Sequence, residues 1–205
     1  MATITRLEAQ KKNKNRVNVY IDGQFSCGIG LDDIVRNRLA VGTDLTEAEL
    51  GNLQKSSDEN KYFTKTLEYI LKSPKTELQI KQYLYKNQLE PDAVNRIIAK
   101  LKTLNYINDA EYARNFTETK SGKLGSRAIA AKLHGKGIKR EILEEFTSEI
   151  DPESQLELAL SLAGKYMRNK THDAKNLAKL YRYLLGKGFE NSIVQSVKEA
   201  VCKSE

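Results

Sequence analysis

The sequence predicts a mainly α-helical protein: three tandem three-helix, helix-turn-helix-like repeats in an elongated array, preceded by a small β-hairpin or meander extension. Two observations predict the repeats and the extension. First, six apolar positions recur three times at one spacing: Ile80, Leu84, Leu89, Val94, Ile97 and Leu101, then Ile129, Leu133, Ile138, Leu143, Phe146 and Ile150, then Leu180, Leu184, Phe189, Val194, Val197 and Val201. All eighteen are apolar in a chain that is 40% hydrophobic. The opening four-residue step and the closing three-plus-four step are helical periods, and the longer steps between them span a turn. Internal repetition of this kind constrains a fold more than any local motif. Second, Val17, Val19 and Ile21, then Phe25, Cys27 and Ile29, alternate with other residues on either side of Asp22-Gly23, the pattern of a hairpin.

The elements follow in order. Residues 1–45 form the β-rich extension with a short helix. A two-residue loop at Asp22-Gly23 pairs Ile21 with Gln24 and opposes the apolar faces. A loop one residue longer pairs Ile21 with Phe25, Val19 with Cys27 and Val17 with Ile29, and is expected because register follows the buried face. Leu31 to Leu39 suits a short helix whose start accounts for Asp32 and Asp33. Repeat 1 occupies residues 46–107. Thr46-Glu47-Ala48-Glu49 has capping-box spacing. Gln54 to Lys61 reads as a linker or as the middle of one long helix; it contains neither Pro nor Gly, which favours the helix. Ser73-Pro74 ends it, Thr76 with Gln79 caps the next helix, and Pro91 suits the first position of the third. Repeat 2 occupies residues 108–150. Asn108 with Glu111 caps its first helix, and Gly135 and Gly137 close its middle helix. Repeat 3 occupies residues 151–205, opened by Asp151-Pro152, with Gly186 and Gly188 closing its middle helix. Each unit is too small for a large core, and stacking in series supplies the missing burial.

Composition narrows the function. The net charge is +7. Residues 1–60 carry 8 Lys/Arg against 9 Asp/Glu, whereas residues 61–205 carry 26 against 18, so the basic excess lies in the repeats. That favours a polyanionic partner, nucleic acid first. No apolar run approaches the roughly 20 residues that span a bilayer, and Met1 to Arg6 lack a signal-peptide layout. Two distant cysteines, Cys27 and Cys202, suggest no disulfide framework and a reduced, cytoplasmic setting. The two histidines, His134 and His172, have no metal spacing. No nucleophile motif is present, and Gly28-Ile29-Gly30 lacks the Lys-Ser/Thr of a phosphate loop. A non-enzymatic protein without metal or cofactor is expected.

Between residues 120 and 140 lie seven basic residues and no acidic one: Lys120, Lys123, Arg127, Lys132, Lys136, Lys139 and Arg140. They suggest a phosphate-tracking surface, with Gly125-Ser126 offering backbone N–H groups at a helix start; a solvated helix face is the alternative. A secondary set comprises Lys165, Arg168, Lys170, Lys175, Lys179, Arg182 and Lys187. Tyr83, Tyr85, Tyr181 and Tyr183 lie beside core positions, where such rings either stack on bases or complete a helix interface.

Three segments carry a family resemblance. Leu104 to Ala113 (LNYINDAEYA), Gly125 to Ile138 (GSRAIAAKLHGKGI) and Tyr183 to Phe189 (YLLGKGF) resemble, in order and spacing, the signatures of the RecX family, regulators of the bacterial RecA recombinase. The resemblance covers about residues 60–202. It implies three tandem three-helix units in an elongated, curved molecule and a non-catalytic protein. A monomer is expected when free. The resemblance further implies binding in the groove of the RecA–single-stranded-DNA filament, limiting filament extension, ATPase, strand exchange and coprotease activity. A rival reading is a helix-turn-helix regulator of duplex DNA. It would read bases from the third helices, which offer Asn95-Arg96, Arg140-Glu141 and Asn191 with Gln195.

Overall fold

The computed structural model describes residues 2–11 and 13–203; Met1, Lys12, Ser204 and Glu205 lie outside the described residues. Strands β1 (Ala2–Ala9), β2 (Arg16–Ile21) and β3 (Gln24–Gly30) form the expected antiparallel meander. A two-residue strand, β4 (Asp44–Leu45), adds to β1, giving the order β3-β2-β1-β4.

The hairpin register combines the two alternatives. Ile21 pairs with Gln24 across a tight turn, and a bulge after Val19 then sets Val19 opposite Cys27 and Val17 opposite Ile29. The expected Ile21–Phe25 pair does not form; Tyr20 faces Phe25 instead. The reason is local. Asp22 (φ 49°) and Gly23 (φ 83°) fill the two left-handed positions of a type I′ turn, so the one-residue mismatch is absorbed by the strand rather than by the loop. The buried face holds Ile4, Val17, Val19, Cys27 and Ile29, packed with Ile34, Leu39 and Leu45.

Helix α1 (Leu31–Arg36) buries Asp33, whose carboxylate accepts a 3.0 Å hydrogen bond from Asn60 Nδ2. Helix α2 (Glu47–Lys72) is continuous through the polar stretch, and its capping box is complete: Glu49 N–H donates to Thr46 Oγ1 and Thr46 N–H to Glu49 Oε2. Leu50 and Leu53 of α2 pack on the sheet core.

Eight further helices follow: α3 (Glu77–Lys86), α4 (Pro91–Thr103), α5 (Asp109–Ser121), α6 (Ser126–His134), α7 (Arg140–Ser148), α8 (Pro152–Met167), α9 (Ala174–Gly186) and α10 (Asn191–Lys203). Thr76 with Gln79, Asn108 with Glu111, and Asp151 before Pro152 cap as their spacing predicts. Of the eighteen repeating positions, Leu89, Ile150 and Val201 are half-buried and the other fifteen are buried. Ala113 completes the core of repeat 2, and Ala159, Ala163 and Met167 that of repeat 3.

All three middle helices end the same way. Leu89, Ile138 and Phe189 N–H donate to the carbonyls of Leu84, Leu133 and Leu184 at 3.2–3.4 Å. The residues just before them, Gln88, Gly137 and Gly188, have φ of 62°, 82° and 86°. This is the left-handed helix stop that returns the chain towards the core.

The molecule divides into two compact units, residues 1–73 with 84–101 and residues 74–83 with 102–205. In the first, Arg96 pairs with Glu59 at 2.9 Å and Lys100 Nζ lies 4.2 Å from the Phe63 ring centre. The second holds the start of α3 together with repeats 2 and 3.

Candidate nucleic-acid interface

Two joints organise the second unit, and both follow one plan. The start of one middle helix receives the left-handed turn that ends the next middle helix. At the α3 joint, Thr76 Oγ1 donates to the Lys136 carbonyl at 2.7 Å, and Glu77 N–H to Asp109 Oδ1 at 2.9 Å. Gly137 lies against Leu78, where an added Cβ would sit 2.5 Å from the leucine Cβ. At the α6 joint, Gly125 N–H donates to the Lys187 carbonyl and Arg127 N–H to the Gly188 carbonyl, both at 3.0 Å. Ser126 N–H donates to Gln155 Oε1 at 3.2 Å. Gly188 lies so close to Ala128 that an added Cβ would overlap its Cβ and backbone nitrogen.

The α6 joint corrects one expectation. The N–H groups of Gly125, Ser126 and Arg127 are taken by the third repeat. They are not available to hold a phosphate, because the missing side-chain cap of α6 is supplied by the neighbouring repeat.

The α3 joint carries charge. Glu77 pairs with Lys81 at 2.7 Å and with Lys102. Burial works against its charge, but hydrogen bonds from Lys102 and Lys81 outweigh it and hold the carboxyl below the ordinary glutamate range. Burial pushes the Asp109 carboxyl up, against the Glu77 N–H bond that it accepts.

Around these joints the lysines converge. Lys120 at the end of α5, Lys123 in the following turn, Lys132 on α6, Lys136 in the α6–α7 turn and Lys187 in the α9–α10 turn line one groove of about 440 Å³. Phe116 and Leu124 supply its apolar wall. None of the five lysines has a carboxylate within ion-pair distance among the described residues. Lys136 Nζ lies 5.7 Å from the Tyr112 ring centre and Lys187 Nζ 5.5 Å from that of Tyr183. Such a concentration of unneutralised charge draws in anions.

The structure thus brings together four of the seven residues of the 120–140 stretch. Arg127, Lys139 and Arg140 are exposed but do not line the groove, and Arg140 is paired with Glu144 at 2.6 Å. Lys187, which the sequence groups with the secondary set, belongs to the groove. Its signal was its repeat position: Lys136-Gly137 and Lys187-Gly188 stand at equivalent turns. Lys165, Arg168, Lys175, Lys179 and Arg182 are all exposed. Only Arg182 of these lines a separate groove of about 530 Å³, with Tyr181, Gln195 and Lys198. The tyrosines of repeat 3 serve packing: Tyr183 stacks on Tyr166 at 4.8 Å between ring centres, and Tyr181 Oη donates to Asn191 Oδ1 at 2.8 Å.

Comparison with known proteins decides the family. Residues 2–46 match the model of the regulatory protein RecX N-terminal domain, residues 108–145 that of the RecX second three-helix domain, and residues 153–197 that of the third. The regulatory protein RecX of Clostridium beijerinckii is 31% identical over 98% of this chain and 96% of its own length. The chain belongs to the RecX family. The RecX protein of Clostridium botulinum is 35% identical over 98% of this chain and 97% of its own. A crystal structure of a regulatory protein RecX superposes with a TM-score of 0.77 at 28% identity, covering 97% of this chain and all of that one. RecX from Lactobacillus salivarius gives a TM-score of 0.66 at 27% identity, over 71% of this chain and 97% of its own. The two clostridial relatives and the first of these crystal structures are named as regulatory proteins. No helix among the described residues is long and apolar enough to cross a membrane, and no cluster of three or more His, Cys, Asp or Glu there could hold a metal ion.

Proposed function

We propose that this protein is a non-catalytic modulator of RecA. It binds in the groove of the RecA–single-stranded-DNA filament and limits filament extension, ATPase, strand exchange and coprotease activity, acting in recombination and the SOS response of the cytoplasm. Membership of the RecX family supports the partner. The observation that carries the contact is the groove of five unpaired lysines with an apolar wall. Its charge suits phosphates, and Phe116 offers an aromatic edge to a base. Duplex base-reading fits less well, since Arg96 and Arg140 of the third helices are engaged by Glu59 and Glu144 of this same chain.

The test replaces Lys120, Lys123, Lys132 and Lys136 with Glu and measures RecA ATPase and strand exchange on single-stranded DNA. Inhibition should be lost while the helical signal and cooperative melting are retained. Replacing Lys165, Arg168, Lys175 and Lys179 instead should leave most of the inhibition. Full inhibition by a folded groove variant would overturn the assignment.

A further inference from the structure

The lysine groove is built across a joint, not on one repeat. Lys120, Lys123, Lys132 and Lys136 come from repeat 2, whereas Lys187 comes from repeat 3. Lys187 also forms the joint with its own backbone, because its carbonyl accepts the Gly125 N–H. The next residue, Gly188, accepts the Arg127 N–H and sits on Ala128. One dipeptide therefore places a cation in the groove and closes the seam beneath it. With the groove empty, Lys187 and the four lysines of repeat 2 repel each other across that seam. A chain of phosphates spanning the groove reverses the sign, since each lysine is then attracted to the same anion.

Resting on the proposed reading of the groove as a phosphodiester site, we infer that a bound strand bridges repeats 2 and 3 through Lys187 and locks the α6 joint. Binding and joint closure are then one coupled equilibrium. Whatever favours the closed joint tightens phosphate binding, and the reverse holds by the same factor. The α3 joint supplies an internal comparison. The turn received there also carries a groove lysine, Lys136, but the cluster includes no lysine from the α3 side of that seam. Strand binding should leave it unchanged.

The experiment is amide hydrogen exchange of the full-length protein with and without oligo(dT), alongside titrations at several salt concentrations. Saturating oligo(dT) should slow exchange at Gly125 and Arg127 by about tenfold, within the usual range of coupling between sites, with no change at Glu77. Lys187→Gln should reduce the log–log salt slope by about 0.7, one phosphate contact on a single strand. It should also abolish the added protection while leaving measurable binding by the other four lysines. Gly188→Ala carries no charge change, yet should weaken binding; because it threatens folding, Lys187→Gln is the deciding variant. Tight, salt-dependent binding with unchanged exchange at Gly125 and Arg127 overturns the inference but leaves the groove assignment standing. Absence of any oligo(dT) binding at low salt overturns both.

Discussion

The α3 and α6 joints do the same job with different chemistry. At the α3 joint the contacts run through side chains: the Thr76 hydroxyl, the Asp109 carboxylate, the Leu78 methyl groups and the Glu77 ion pairs. At the α6 joint two bonds run from backbone to backbone and the third ends on the neutral Gln155. Side chains can swing and titrate, whereas backbone cannot. The first joint is therefore adjustable and sensitive to acid. The second has no titrating contact and is indifferent to it. That difference suits the second to sit beneath the proposed groove, because its closure then answers to the charge held above it and not to acid.

The sharpest way to break the comparison is Gly188→Ala. The methyl group meets the Cβ and the backbone nitrogen of Ala128, and φ of 86° strains any side chain. The left-handed penalty of about 1–2 kcal/mol and overpacking of about 1–3 kcal/mol together predict a loss of about 2–5 kcal/mol in urea unfolding. Trimming Ala128 to Gly should restore little, since the backbone clash remains. Gly137→Ala comes next. Its methyl group meets the Leu78 Cβ at 2.5 Å and Cδ2 at 2.7 Å; Leu78 is 37% exposed, so its outer carbons have room to turn away although the Cβ does not. Left-handed strain of about 1–2 kcal/mol at φ of 82° and overpacking of about 1 kcal/mol together predict a loss of about 2–3 kcal/mol. Here the companion change Leu78→Ala should recover part of the loss, giving a favourable coupling in a double-mutant cycle. Equal, unrescued losses at both glycines would remove the distinction.

Acid should separate the joints more gently. The Glu77 carboxyl lies below its ordinary value, so its contribution is full above the unfolded-state pKa, near about 4.3, and is lost as pH falls through the folded value. The Asp109 carboxyl lies above its ordinary value, so it works the other way, weakening the fold as pH rises between its unfolded and folded values. Exchange at the Glu77 amide should therefore vary between roughly pH 3 and 5, while exchange at Gly125 varies only with the intrinsic rate. Glu77→Gln should remove the loss on the acid side and leave the opposing trend of Asp109 exposed. A Gly125 amide that follows pH like Glu77 would show the joints to be coupled.

What the sequence made legible was local. The eighteen apolar positions are legible because helical burial has a short period, and the capping boxes because their partners stand three residues apart. The bulge after Val19 was not, since a misfit of one residue can be absorbed in loop or strand, and only the demands of Asp22-Gly23 choose between them. The joints were hidden for a different reason. Thr76 and Lys136 are separated by 60 residues, and the Gly125 bond to Lys187 joins two backbones whose side chains play no part. The charge run at 120–140 supplies four of the groove's lysines but also includes Arg127, Lys139 and Arg140, which do not line it. Repeat equivalence, rather than proximity in the chain, was the route to Lys187.

That equivalence also separates two roles of glycine, and the smallest prediction tests it. Gln88 occupies in repeat 1 the place of Gly137 and Gly188, with φ of 62° and the same hydrogen bond from the following residue. A left-handed helix stop therefore does not require glycine here. What requires it at 137 and 188 is the closeness of Leu78 and Ala128, and Gln88 is exposed. Gln88→Gly should relieve about 1–2 kcal/mol of left-handed strain and give back about 0.4–1 kcal/mol through the freer unfolded chain. The expected net is a gain of about 0–1.6 kcal/mol, seen as a small rise in melting temperature. A loss instead of a gain would mean that the Gln88 side chain makes a stabilising contact, and that the repeat-1 turn, like the other two, is fitted to what lies beside it.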